Sequence, residues 1–261
     1  MCRHLAYLGP AVSLQSLLIE PPHGLYRQSW APRMQRYGTV NADGFGIGWF
    51  ANGDPVPARY RRGIPIWGDP SLPDIARVVS SSAVLAAVRS ATPLMAGGEA
   101  AAAPFAAGAW LFSHNGIMEG WPTLPLPQVS LPAMEAMTDS AYLWALVLDR
   151  LRDGAAPAEA LAQAIDAVQV AGISGRFNFL WTDGSTIAAT TCGDTLWYRI
   201  VSTGGPEDSV TVASEPCDDL PGWEEVPDGQ LLTAVRGLVE IQPLSTLMSA
   251  PTATPTEGID S

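Results

Sequence analysis

Two short runs, residues 83–88 and 109–113, carry no charged side chain and no regular apolar–polar alternation. Short continuous apolar runs of this kind fit strands buried on both faces, which need a layer packed on either side. Each run delivers a polar cluster: Arg89-Ser90-Ala91-Thr92-Pro93 after the first and His114-Asn115-Gly116 after the second. Polar clusters at the ends of buried strands are where a site forms.

The rest of the chain supplies the covering layers. Residues 2–8 alternate well enough for a first strand closed by Gly9-Pro10, and Ser13 can cap a short helix through Ile19. A long loop follows through Arg36. Phe45, Ile47 and Trp49 alternate with Gly46 and Gly48, so one face of that strand is almost bare. Such a strand admits either a ligand or tight packing against another backbone. Residues 58–62 read as its partner strand, and a helix runs from Asp69-Pro70-Ser71 to about Ser80. The Ala/Gly-rich stretch 95–108 reads as loop. Thr138 caps a helix that ends at Gly154, and Pro157 opens a second one carrying Leu161, Ile165 and Val168 on one face. From Arg176 the texture is β, with a turn at Asp183-Gly184 and further strands near 196–201, 210, 230–235 and 238–241. A dozen antiparallel-looking strands around a few helices predict an α+β fold of two stacked sheets with helices outside. Residues 2–243 form one domain in this reading, and 244–261 are a Pro/Thr/Ser-rich tail.

Composition narrows the function classes. The 261 residues carry a formal net charge of -12 with 14 Lys and Arg, which argues against nucleic acid and anionic membranes as partners. No run approaches the ~20 apolar residues of a membrane-spanning helix. The N-terminus has no basic region followed by an apolar stretch, as a signal peptide would. Cys2, Cys192 and Cys217 form no C-x-x-C pair, and His4, His23 and His114 are scattered, so neither a disulfide framework nor a metal site is expected. A cytoplasmic protein without a cofactor fits best.

The chemistry starts at Met1-Cys2-Arg3-His4. Removal of Met1 would leave Cys2 with a thiol nucleophile and a free α-amine of pKa near ~8 that can serve as its base. Asn115 and Gly116 can donate hydrogen bonds to an oxyanion. Arg89 offers a fork matching a carboxylate, and Asp139 a negative group for an ammonium. Together they suit an amide with an amino-acid head. Each also has a plain structural reading: a solvated arginine, a tight Asn-Gly turn, an aspartate favoured by the helix dipole.

Met1-Cys2-Arg3, residues 43–49, Arg89-Ser90-Ala91-Thr92, Ser113-His114-Asn115-Gly116 and Thr138-Asp139-Ser140 resemble, in order, the motifs of class II glutamine amidotransferases. These are N-terminal-nucleophile hydrolases with a four-layer αββα sandwich. The resemblance implies Cys2 as nucleophile, Asn115 and Gly116 as oxyanion hole, Arg89 and Thr92 on the glutamyl carboxylate, and Asp139 on the glutamyl amine. Synthases of the family usually carry His after that Thr, where this chain has Pro93. Residues 213–216, Asp218-Asp219 and 222–229 further resemble the γ-glutamyl amidohydrolases of ergothioneine biosynthesis and their glutathione-degrading relatives. That likeness implies γ-glutamyl-hercynylcysteine sulfoxide as a small-molecule substrate, with a trimethylammonium that aromatic faces could hold. Trp30, Trp67, Trp110 and Trp121 lie near loops that could line the leaving-group side. The alternatives are a glutaminase subunit feeding ammonia to a separate synthase and a non-catalytic binding module on an amidase scaffold. A chain occupied by one amidase-sized domain favours hydrolysis, since released ammonia has no acceptor.

Overall fold

The computed structural model describes residues 2–91, 95–122, 127–129 and 134–248. The first sheet has seven strands: β1 (Arg3–Ser13), β2 (Phe45–Trp49), β3 (Ala58–Arg62), β4 (Ser80–Val88), β9 (Trp197–Val201), β10 (Ser209–Ala213) and β11 (Trp223–Glu225), in the order β11-β9-β10-β1-β4-β2-β3. The second has six: β5 (Phe105–Ala107), β6 (Trp110–Met118), β7 (Gly175–Thr182), β8 (Ile187–Thr190), β12 (Gln230–Val235) and β13 (Leu238–Pro243), in the order β13-β12-β8-β7-β6-β5. Every pairing is antiparallel.

Three apolar clusters define four layers. Ala6, Leu8 and Leu85 of the first sheet meet Leu111, Leu180 and Leu232 of the second. Leu5, Phe45, Ile47 and Val84 face outward onto α1 (Leu25–Gln28) and α2 (Leu72–Val78). Phe112, Phe177 and Phe179 face outward onto α3 (Asp139–Arg152) and α4 (Pro157–Val170). The expected αββα sandwich is the observed one.

The capping expectations hold: Thr138 Oγ1 accepts from Ala141 N at 3.1 Å, and Gly154 turns the chain away at φ 93°. The bare face of β2 is filled by protein. A Cβ at Gly46 would overlap the Ala103 carbonyl oxygen, and one at Gly48 would stand 2.7 Å from Leu111 Cδ1.

Several boundaries are corrected. β1 runs through Gly9-Pro10 to Ser13, with an irregularity in its pairing to β4 between Leu8 and Val12. The short helical turn Gln15–Ile19 follows Leu14, which takes the capping position expected of Ser13; the Ser13 hydroxyl still accepts from Ser16 N. The loop before Arg36 contains the one-turn α1, and the stretch 95–108 contains β5. Most important, β6 continues through His114-Asn115-Gly116, so that cluster lies inside a strand and not after it. Past Pro243 the chain still packs: Leu244 is buried among the α3–α4 side chains, and its N–H donates to Gly229 O at 2.9 Å. Residues 249–261 of the expected tail lie outside the described residues.

Candidate active site

β1 lies at the centre of its sheet, between β10 and β4. Alternation along a strand sends every second side chain to one face. Ala6 and Leu8 enter the core between the sheets, and His4 meets Ser113 of β6, its Nδ1 3.2 Å from Ser113 Oγ. Cys2 belongs to this same set. Its main-chain nitrogen donates to Asn115 Oδ1 at 3.1 Å. Asn115 is fully buried, and with its oxygen held by Cys2 its amide nitrogen Nδ2 has no partner among the described residues. A buried donor left unpaired costs about 1–3 kcal/mol, so a group that accepts from it is strongly favoured there.

Gly116 follows in the strand. A Cβ here would overlap the Arg176 carbonyl oxygen, so the approach of β7 requires glycine. Glu119 N donates toward β7, to Ser174 O, whereas Met118 N donates to Asp139 Oδ2 at 3.0 Å. N–H directions alternate along an antiparallel strand. The Gly116 N–H therefore points to the same side as Met118 N, away from β7.

Arg3 pairs with Val88 across β1 and β4, so one step outward Arg89 stands opposite Cys2. Arg89 is 7% exposed, and its terminal nitrogens reach Ala96 O at 2.9 Å and Asp43 O at 3.4 Å. Among the described residues it has no carboxylate partner. The Asp43 turn is fixed from both ends: Asp43 N donates to Arg89 O, and Ala91 N donates to Asp43 Oδ2. Thr92 lies outside the described residues.

Asp139 is buried at the first position of α3. Its Oδ1 accepts from Ser140 N at 2.7 Å and its Oδ2 from Met118 N, so helix and strand are tied together at the carboxylate. His114, on the outward face of β6, bridges Ser140 Oγ and Arg176 O. Burial lowers its pKa, against the pull of Asp139. Facing away from Cys2, His114 braces the site and is not an acid–base candidate.

The structure thus gathers Cys2, Arg89, Asn115, Gly116 and Asp139 at one end of the sandwich. The other two thiols are poor nucleophiles: burial pushes Cys217 up to about 12 and raises Cys192. Trp30 lies edge-on between Tyr26 and Trp67 with the Arg27 guanidinium over its ring at 5.2 Å. Trp121 leans on Tyr142, and Trp110 packs toward the α3–α4 core.

Sequence reasoning overlooked three supports. Glu215 pairs with buried Arg3. Asn178, opposite Asn115, holds the loop 192–194 through Cys192 N, Asp194 N and Asp194 O. Arg176 pairs with Asp194. The alternation Arg176-Phe177-Asn178-Phe179 was a signal: two large polar residues share one face while the other carries aromatic rings.

The family model described as glutamine amidotransferases class-II matches residues 25–203. The chain belongs to this family. Among class II amidotransferase relatives, it is 43% identical to the gamma-glutamyl-hercynylcysteine sulfoxide hydrolase of Mycolicibacterium smegmatis over 244 residues, 94% of this chain and 100% of that protein. It is 42% identical to the protein of the same name from Mycobacterium tuberculosis strain H37Rv, over 90% of this chain and 94% of that one. A solved class II domain protein from Silicibacter pomeroyi superposes with a TM-score of 0.62 at 24% identity, covering 93% of this chain and 99% of its own. That last likeness concerns the fold.

Proposed function

We propose that this class II amidotransferase hydrolyses the γ-glutamyl amide bond of γ-glutamyl-hercynylcysteine sulfoxide, with Cys2 as nucleophile. The observation that carries the chemistry is the divided Asn115 amide: Oδ1 on the Cys2 nitrogen, and Nδ2 buried beside it with no partner among the described residues. The substrate rests on relatives of that name at 42–43% identity over nearly their whole length.

Once Met1 is removed, the Cys2 nitrogen is an amine. It takes the thiol proton as sulfur attacks the γ-carbonyl carbon. The carbonyl oxygen gains the charge and accepts from Asn115 Nδ2 and Gly116 N–H. As the intermediate collapses, the C–N bond breaks and the amine returns the proton to the leaving nitrogen. Water then attacks the thioester, releasing glutamate and restoring the thiol. Arg89 binds the glutamyl α-carboxylate, with Thr92 as its second contact, and Asp139 binds the α-ammonium.

The test is glutamate release by the Met1-processed protein from equal concentrations of the sulfoxide and of glutamine. Release from the sulfoxide far above glutamine is expected, and Cys2→Ala abolishes it. Equal or greater release from glutamine would instead indicate an ammonia-supplying subunit.

A further inference from the structure

Arg176 is held as a preformed fork on the side of the site opposite the glutamyl head. Its side chain shares a face of β7 with Asn178, as both touch Asp194: Arg176 Nε donates to Asp194 Oδ2 at 3.0 Å, and Asn178 Nδ2 to Asp194 O at 2.7 Å. Asn178 stands directly opposite Asn115. Arg176 is therefore one same-face step, ~7 Å along the strand, beyond the residue facing the oxyanion donor.

The guanidinium is fixed on two sides. Asp194, 2% exposed in its side chain, takes Nε, and the Tyr37 ring lies 4.4 Å from the guanidinium carbon. Gly193 makes room for this arrangement, since a Cβ there would stand 2.7 Å from Arg176 Cγ. The two terminal nitrogens have no partner among the described residues, and the side chain is 20% exposed. An arginine with Nε occupied and its outer edge free suits bidentate binding of a carboxylate.

Direction decides which carboxylate. Asp139 takes the Met118 N–H on the side of β6 away from β7, whereas Arg176 is on β7. With the glutamyl ammonium drawn to Asp139, the scissile nitrogen and its substituent leave toward β7. We infer that Arg176, clamped by Asp194 and Tyr37, binds the α-carboxylate on the amino-acid leaving group and so selects γ-glutamyl amino acids over glutamine. This rests on the γ-glutamyl hydrolase reading above. Glutamine, whose leaving group is ammonia, gains nothing from the fork.

The experiment compares glutamate release from γ-glutamyl-S-methylcysteine sulfoxide and from the same compound with its cysteinyl carboxylate converted to a carboxamide. The unaltered protein is expected to prefer the carboxylate about 10- to 100-fold in kcat/KM, the range of a charge-assisted hydrogen-bonded pair. The preference collapses toward one in Arg176→Gln and falls part-way in Arg176→Lys. Arg176→Gln combined with Asp194→Asn leaves no buried carboxylate stranded and serves if the single variant folds poorly. Each preference is a ratio within one protein, so a loss of folded fraction cancels. Equal cleavage of both compounds by the unaltered protein, or a preference that survives in Arg176→Gln, overturns the assignment and leaves the hydrolase reading standing. No glutamate from either compound or from γ-glutamyl-hercynylcysteine sulfoxide overturns both.

Discussion

The guanidinium of Arg3 and the carboxylate of Glu215, both fully buried, face each other with Arg3 Nη2 3.6 Å from Glu215 Oε2. Among the described residues Arg3 makes no hydrogen bond from that group, whereas Glu215 accepts from Arg33 N and Met34 N at 2.8–3.1 Å. One carboxylate thus ties Arg3, the residue after Cys2, to the loop that carries Tyr37. Removing one partner of a buried pair strands the other charge, at a cost of about 3–5 kcal/mol. Glu215→Gln is expected to lower unfolding stability by that amount in urea and to make the 33–40 loop more sensitive to proteolysis. A loss under about 1 kcal/mol, on the scale of an exposed pair, would show that the carboxylate does not carry this charge.

Asn115→Ala removes the acceptor for the Cys2 nitrogen and, in the mechanism proposed above, the side-chain oxyanion donor. Losing one such donor costs ~100- to 1,000-fold in rate. The drop is expected in kcat, with KM little changed, because the donor acts on charge that develops during attack. A fall in KM-controlled binding with kcat intact would remove Asn115 from the oxyanion hole.

His4 is fully buried, and burial holds its pKa well below 6.5, helped by the positive fields of His114 and Arg3. Ser113 Oγ is the only polar side chain bonded to its ring among the described residues, and Nε2 has no partner. The unfolded chain binds a proton near pH 6.5 that the folded protein refuses, so stability is full above that pH and falls as pH drops below it. His114, also lowered, adds to the same slope. Urea midpoints measured from pH 8 to 5 are expected to decline below about pH 6.5, and His4→Gln flattens the decline. A midpoint unchanged through that range would mean that the histidines take up protons while folded.

Brief alkylation of the native protein at pH 7.5, followed by peptide mass analysis, is expected to label Cys2 first. Cys217, pushed up to about 12 by burial with Asp218 and Glu215 nearby, stays unmodified, and Cys192 reacts slowly. Labelling of Cys217 before Cys2 would contradict the order.

The layers were legible because their signals are local. The uncharged run of β4, the Thr138 cap and the helical spacing of Leu161, Ile165 and Val168 each need only a few neighbouring residues. What escaped was decided at long range. Asn115-Gly116 has the composition of a tight turn, yet pairing with Asn178 and Phe177 draws it into β6. Three-residue β5 and β11 are too short to show a period. The Arg3–Glu215 pair joins residues at opposite ends of the chain, and Arg176 gains meaning only from Asp194 and from a tyrosine far upstream. Cys2, Arg89 and Asp139 could be named from the sequence, but the hydrogen bonds that hold them could not.

The centrality of β1 has a consequence for how the protein is made. Its two neighbours are β4, at residues 80–88, and β10, at 209–213. A ribosome releases the first strand long before the second of these exists, and contacts so distant in sequence form late. Until β10 is made, β1 can pair on one side only, with β4, and the other edge of the strand stays open. When β10 arrives and the sheet closes around β1, the Cys2 nitrogen passes from water to Asn115. On the proposal that Met1 is removed, the half-built sheet is the stage at which trimming is easiest, because the Cys2 nitrogen then still faces water and not Asn115.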